Sequence, residues 1–381
     1  MRVLVLGRGL QGSACAYDLL QNPAVTEVRL ADLHVDHLPA FLAPYSGTRL
    51  FPTRLDVRDA ESVRSVMREC DAVMSAIPYY FNLELARLAV ESGVHFCDLG
   101  GNTEIVFQQR DLDAAARANG VTVIPDCGLA PGMVNILAQY GISQLDVVTS
   151  VRIFVGGLPQ HPEPPLNYQV VYSLEGVLDY YTTLSWVLRD GKRKQVAALS
   201  ERVAVDFPAP VGTLEAFHTA GGLSTLAFRY EDRIPTMEYK TLRYPGHAHI
   251  MEAIRDLGFL DLKPVDVKGI KVAPRDVATT VMAERLTKPQ GRDLVAMRVL
   301  VEGTRGGAPT RLGWELIDFY DAAHGISAMM RTTGYSLSIT GQMQASGEIT
   351  PPGVHTPDEC IPAAKYITEL AKRGVKIRET Q

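Results

Sequence analysis

Gly7, Gly9 and Gly12 sit at the start of this 381-residue sequence. Residues 3–6 before them are all apolar and read as a buried parallel strand, and residues 13–20 after them continue at helical spacing. Strand, G-x-G-x-x-G turn and helix together suit the pyrophosphate of a dinucleotide. Gly7 permits the tight turn, Gly9 lets the phosphates approach the backbone, and Gly12 lets the helix lie close to the strand. The helix start offers free N–H groups and partial positive charge. Arg8, Leu10 and Gln11 fill the other positions of that turn.

A second apolar run, residues 28–31, ends on Asp32, twenty positions after Gly12. That is where a ribose-binding acid belongs. Its carboxylate would accept from the ribose hydroxyls and repel a 2′-phosphate, which favours NAD over NADP; Leu33 follows it. Arg29, three positions earlier, keeps NADP open, and an Asp at a strand end can also simply cap a turn.

The elements that position these residues alternate. Strands are expected at 49–55, 72–77, 95–98 and 122–124, with helices at 60–69, 82–92 and 112–118. With the first two strands this makes six, an α/β doubly wound parallel sheet. Ligands bind at the carboxyl ends of such strands. That rule selects Asp56 and Val57 near the adenine, Ala76, Ile77 and Pro78 along the cofactor, Asp98 and Leu99 after the fifth strand, and Asp126 after the sixth.

Beyond residue 130 the composition changes. A strand is expected at 151–155, a long Pro/Gly loop at 156–165, and strand-like runs at 169–172, 203–207 and 226–230. Residues 239–242 are extended, 248–257 and 278–286 are helical, and 294–302 pairs with 310–320. This is a second α+β domain with a mostly antiparallel sheet. Residues 327–346 have a helical period and the tail is expected to return to the first domain, so 1–130 with 332–381 forms the Rossmann domain and 131–331 the substrate domain.

The net charge of −5 gives no footprint for nucleic acid. No apolar run is long enough for a membrane, and the first residues already read as a strand rather than a leader. Five scattered cysteines show no metal spacing and fit free thiols in a reducing cytoplasm. No metal is expected.

Longer motifs carry a resemblance. Residues 125–133 (PDCGLAPGM), 156–159 (GGLP), 212–217 (GTLEAF) and 240–247 (KTLRYPGH) resemble the saccharopine dehydrogenase-like family, and 317–321 (IDFYD) with 328–335 (AMMRTTGY) is similar to its L-lysine 6-dehydrogenase branch. The resemblance implies NAD-dependent oxidative deamination of the ε-amine of L-lysine to 2-aminoadipate 6-semialdehyde, in a homodimer formed through the second domain's sheet. Related branches reduce imines, as saccharopine reductase and carboxynorspermidine synthase do. A protein that binds NAD without turnover is the alternative from another class.

Such chemistry needs a group to accept a proton from the amine and a cation to hold the α-carboxylate. Asp98 and Asp126 end strands at the cofactor edge and are the candidate bases; either could instead brace a loop. Arg243 is the expected clamp, with Lys240 as second choice, and His247 the expected proton shuttle, a part His249 could equally play. Ser224 and Thr225, in a small-residue turn, and Tyr172, beyond the Pro-rich loop, are expected to touch the amino-acid substrate.

Overall fold

Apolar runs separated by helix-forming segments become parallel strands because helices must cover both faces of the sheet they build. In the computed structural model, which describes residues 1–380, strands β1 (Arg2–Leu6), β2 (Glu27–Asp32), β3 (Leu50–Arg54), β4 (Ala72–Ser75), β5 (His95–Asp98) and β6 (Thr122–Ile124) alternate with helices. These are α1 (Leu10–Gln21), α2 (Ala60–Met67), α3 (Asn82–Glu91), α4 (Thr103–Arg110) and α5 (Asp113–Ala118), with α6 (Met133–Ile142) after β6. On one face Leu4, Leu6, Val73 and Phe96 pack with Val63, Met67, Leu85 and Leu88 of α2 and α3. Asp59 caps α2 and Asn102 caps α4, each accepting from backbone N–H groups of the first turn.

The middle of the chain adds β7 (Val147–Pro159), α7 (Leu174–Tyr180), β8 (Ser185–Arg189), β9 (Lys192–Val196), β10 (Val203–Phe207), β11 (Gly212–His218), α8 (Leu226–Arg229), β12 (Thr236–Arg243) and α9 (His247–Asp256). Then come β13 (Val265–Val267), β14 (Ile270–Val272), α10 (Pro274–Leu286), β15 (Asp293–Arg305) and β16 (Ala308–Phe319). The tail supplies α11 (Ala328–Ala345), β17 (Gly353–Val354), α12 (Pro357–Cys360), α13 (Ala363–Lys372) and β18 (Arg378–Thr380).

The first sheet runs β17-β6-β5-β4-β1-β2-β3, every pair parallel. Sequence reading counts six strands; the tail contributes the seventh, because β17 pairs with β6. The second sheet runs β10-β11-β12-β7-β15-β16-β18, with β8 also on β12 and β9 on β8. Only β12 and β7 are parallel within it. β13 and β14 form a separate two-stranded ribbon.

Two compact units result: residues 1–143, 321–326 and 330–377, and, among the described residues, 144–320, 327–329 and 378–380.

Three expectations change. Residues 156–159 are not loop but the end of β7. A Cβ on Gly156 would stand 2.5 Å from the Leu242 carbonyl, so glycine is there for close packing of neighbouring strands. Residues 226–229 are helical rather than extended; three apolar residues and Arg229 are too short a run for periodicity to assign. Residues 169–172 form no strand.

Candidate functional site

In the first unit the glycine turn has the shape a dinucleotide requires. Gly7 has φ +95°, and a Cβ there would meet the Ala76 carbonyl at 2.7 Å. A Cβ on Gly12 would lie 1.8 Å from the Gly7 carbonyl. At Gly9 a Cβ meets nothing within 4 Å, which leaves open space above the first N–H groups of α1. Asp32 ends β2 beside this turn. Its Oδ2 accepts the Arg8 N–H at 2.8 Å and its Oδ1 that of His34 at 3.1 Å. The carboxylate is thereby fixed with acceptor capacity to spare. Leu10 and Leu33 are exposed, Gln11 is half-buried, and Ala76, Ile77 and Pro78 follow β4 alongside Gly7. Asp56, near Val57, is held by Arg58 through several hydrogen bonds that lower its pKa to about 2.

Asp98 and Asp126 come together at the ends of β5 and β6, but they are not alike. Asp98 is fully buried, and three N–H donors of the protein hold its two oxygens. Oδ1 accepts from Gly100 N–H at 2.7 Å and from Asp126 N–H at 3.4 Å, and Oδ2 accepts from Gln109 Nε2 at 2.8 Å. Burial pushes its pKa up to about 6. Asp98 thus staples the loops after β5 and β6. Leu99, next to it, donates its N–H to Ser75. Asp126 has φ +64°, a strained setting for a residue other than glycine, and its side chain lies against the Cα of Gly100.

The second unit gathers an aromatic box around a buried cation. β12 alternates, so Tyr239, Thr241 and Arg243 share one face and Lys240 the other. Arg243 is 3% exposed. Its Nε donates to the Tyr181 hydroxyl at 3.1 Å, Nη1 donates to the Leu242 carbonyl, and the guanidinium lies 4.7 Å from the Tyr168 ring centre. Tyr172 is close enough to feel its charge. Among the described residues no carboxylate pairs with it. The Gly221–Thr225 turn, carrying Ser224 and Thr225, lies between Tyr180 and Tyr239: a Cβ on Gly221 would meet the Tyr180 ring at 3.3 Å, and one on Gly222 the Tyr239 ring at 2.3 Å.

Two expected roles change here. His247 is buried with both ring nitrogens occupied: Nδ1 pairs with the Leu166 carbonyl at 3.0 Å and Nε2 with the Tyr181 hydroxyl at 2.9 Å. Burial, together with the Arg243 charge, lowers its pKa to about 3. A neutral, fully engaged imidazole braces Tyr181; it does not shuttle protons near neutrality. Lys240 is not a second clamp beside Arg243. It faces a charge network in which Nζ donates to the Glu201 carbonyl at 2.7 Å, near Glu238, His218 and Arg189. Glu201, His218 and Glu238 are close enough to hold a metal, but Arg189 and Lys240 already neutralise them. Sequence reading did not single out Tyr168 and Tyr181, since isolated tyrosines carry no spacing signal. Among the described residues, no helix is long and apolar enough to cross a membrane.

Residues 3–124 match the family model of the Saccharopine dehydrogenase NADP binding domain, and residues 128–375 that of the Saccharopine dehydrogenase C-terminal domain. The chain is 24% identical to Saccharopine dehydrogenase (NADP(+), L-glutamate-forming) of Saccharomyces cerevisiae, over 99% of this chain and 98% of that protein. The match to the protein of the same name from Pyricularia oryzae is 26% identical and spans 55% of this chain and 48% of the relative. Among solved structures, apo saccharopine dehydrogenase (L-Glu forming) from Saccharomyces cerevisiae superposes with a TM-score of 0.81 at 22% identity, covering 100% and 99% of the two chains. Homospermidine synthase from Legionella pneumophila in complex with NAD gives 0.69 at 12% identity, covering 100% and 91%.

Proposed function

The chain belongs to the saccharopine dehydrogenase family, NAD(P)-dependent oxidoreductases acting on CH–NH groups, and from that premise we propose that it deaminates the ε-carbon of L-lysine oxidatively, with NAD as acceptor. The observation that carries the reading is Arg243. A cation buried without an acid partner, over one tyrosine ring and bonded to the hydroxyl of another, awaits an anion from outside the chain, and the α-carboxylate of an amino acid supplies one.

The glycine turn and Asp32 fit the dinucleotide: the N–H groups of α1 would take the pyrophosphate and Asp32 the ribose hydroxyls. When bound, the dinucleotide supplies the hydride acceptor. Asp126 is the residue we assign to take a proton from the ammonium group, because Asp98 is fully buried and braced by Gly100, Asp126 and Gln109. Loss of a hydride and a proton from the substrate leaves an imine. Water adds to it, and ammonium leaves with the aldehyde 2-aminoadipate 6-semialdehyde as the other product.

A second reading has support of its own. The match to a saccharopine dehydrogenase covers 99% of this chain, which favours an enzyme that makes or breaks a secondary amine with NADP. Supplying purified protein with lysine or saccharopine, and NAD or NADP, separates the two. Reduced NAD with lysine supports the first; turnover of saccharopine alone, with NADP, replaces it by the second. Asp32→Ala is expected to weaken NAD binding and improve NADP binding, because it removes both the ribose acceptor and the repulsion of a 2′-phosphate.

A further inference from the structure

Asp18 is a carboxylate outside the proposed chemistry, yet it lies buried in α1, 3% exposed. Burying a charge is costly unless it is paired and hydrogen-bonded. Its side-chain partners all come from the tail of the chain. Oδ2 accepts from the Ser338 hydroxyl of α11 at 2.7 Å and from Gln342 Nε2 at 3.4 Å. Oδ1 pairs at 2.6 Å with Nε of Arg373, at the end of α13. One turn along α1, Asn22 Nδ2 donates to Gln342 Oε1 at 2.7 Å. One turn back, Gly334 lies against Ala14: a Cβ there would stand 2.7 Å from the Ala14 methyl and 2.7 Å from the Gln11 carbonyl.

Ala14, Asp18 and Asn22 therefore meet Gly334, Ser338 and Gln342, in steps of four on both segments. Helices whose contacts advance by the same step run side by side in one direction. α11 is itself tied to the sheet. Gln344 Nε2 donates to the Phe96 and Thr122 carbonyls at 3.0 Å, and Ser336 Oγ to the Gly128 carbonyl at 3.1 Å. The seam thus carries the position of the sheet, through α11, to the first turn of α1. Close approach at Gly334 sets how near α1 lies, and the polar rungs set how far along.

Resting on the reading of the Gly7–Gly12 turn as the dinucleotide site, we propose that Gly334 and Asp18 are positioning residues for the dinucleotide. They hold the first N–H groups of α1 in place for the pyrophosphate, from outside the G-x-G-x-x-G stretch. Charge-assisted hydrogen bonds depend steeply on distance and angle. A Cβ at position 334 pushes the first turn of α1 outward by several tenths of an ångström to reach ordinary contact, and that shift weakens the hold on the phosphates.

Calorimetric titration of the full chain with NAD, beside urea unfolding, tests this with two substitutions in one helix. Gly334→Ala is expected to raise the Kd for NAD about tenfold at unchanged stoichiometry. Gly341→Ala is the control, because a Cβ there runs into the side chain of Met74 on β4 and not into α1. A flexible methionine turns aside, so this variant is expected to keep its Kd within about twofold of wild type whatever it does to stability. A merely structural role would lower the binding stoichiometry through the folded fraction and leave both Kd values alone. If Gly334→Ala does not fold, Ser338→Ala removes one bond to Asp18 and is expected to raise the Kd about threefold. Wild-type affinity in Gly334→Ala, or in Ser338→Ala in its place, overturns the proposal, as does a rise in Gly341→Ala equal to that in Gly334→Ala; NAD binding by wild type leaves the dinucleotide reading standing in each case. A wild type that binds no NAD overturns both.

Discussion

Arg243 donates its Nε–H to the Tyr181 hydroxyl at 3.1 Å, and that hydroxyl donates onward to His247 Nε2 at 2.9 Å. Nδ1–H of His247 in turn donates to the Leu166 carbonyl. The directions are fixed from the two ends: a guanidinium only donates and the Leu166 carbonyl only accepts, which leaves Nε2 of the neutral ring as the acceptor. One relay therefore sets the imidazole tautomer and the angle of the guanidinium. Tyr181→Phe keeps the ring contacts with Phe217 and His247 but leaves two buried polar atoms without partners. It is expected to lower stability by about 1–3 kcal/mol in urea unfolding. Under the proposed function it also raises KM for the amino acid about tenfold while kcat changes little, because a tilted clamp weakens substrate binding rather than the chemical step.

The same relay carries a pH signature. His247 titrates at about 3 in the folded chain and near 6.5 when exposed, so the unfolded state binds the extra proton between these values. Its contribution to stability is complete above pH 6.5 and is lost as pH falls toward 3, by at most about 1.4 kcal/mol per unit. Asp98 works in the opposite direction. Its folded pKa of about 6 exceeds the ordinary 3.8, so its contribution is present below 3.8 and is lost as pH rises through 6. Between pH 4 and 6 the two slopes oppose each other. Removing one should expose the other: His247→Gln makes stability fall with pH across that window relative to wild type, and Asp98→Asn makes it rise. Urea midpoints at pH 4, 5 and 6 read this directly (pH values spanning about the interval between the two folded pKa values), and parallel curves for all three proteins would contradict it.

What could be read from the sequence divides along physical lines. The Gly7–Gly12 turn and Asp32 were legible because local backbone chemistry demands those residue types at that spacing. The separation of Lys240 from Arg243 was partly legible. Residues three apart on an extended segment must face opposite ways, but the extended reading of 239–242 stops one residue short of Arg243, which the strand includes. The brace on Asp98 was not legible: Gln109 is eleven residues away and Asp126 twenty-eight, and only the folded chain brings their donors to one carboxylate. The β8–β9 hairpin was missed although Asp190-Gly191 is a strong turn signal. The helix at 226–229 differs from its extended reading because four residues, three of them apolar, have no measurable period.

Two glycines of one turn should respond differently to the same substitution. Gly12→Ala drives a Cβ to 1.8 Å from the Gly7 carbonyl, so α1 must move off β1 and the fold loses stability. At Gly9 the backbone has φ −63° and the Cβ meets no protein atom, so Gly9→Ala is expected to leave the unfolding temperature unchanged. It occupies the approach to the α1 N–H groups, and dinucleotide affinity should drop by about tenfold or more, since a lost charge-assisted hydrogen bond is worth about 1.5–3 kcal/mol. Calorimetric titration with NAD beside a thermal melt separates the two effects. Unchanged NAD affinity in Gly9→Ala would remove the turn from the cofactor site.

Asp98 and Asp126 allow the sharpest test of which carboxylate takes the proton. Asparagine tolerates positive φ, so Asp126→Asn preserves the φ +64° backbone while removing the basic oxygen. If Asp126 is the base, kcat falls by about 10²–10⁴, and the loss is greatest at low pH, where free ammonium substrate most needs a proton acceptor. Asp98→Asn keeps one carbonyl oxygen for the Gly100 N–H, and the Gln109 amide can turn to offer its oxygen to the new amide group. A brace repaired in this way should retain activity within about tenfold, or about 1.4 kcal/mol in the barrier. The reverse ranking, with Asp98→Asn inactive but folded and Asp126→Asn active, would mean that the buried carboxylate leaves its three donors during turnover and that Asp126 only shapes the loop.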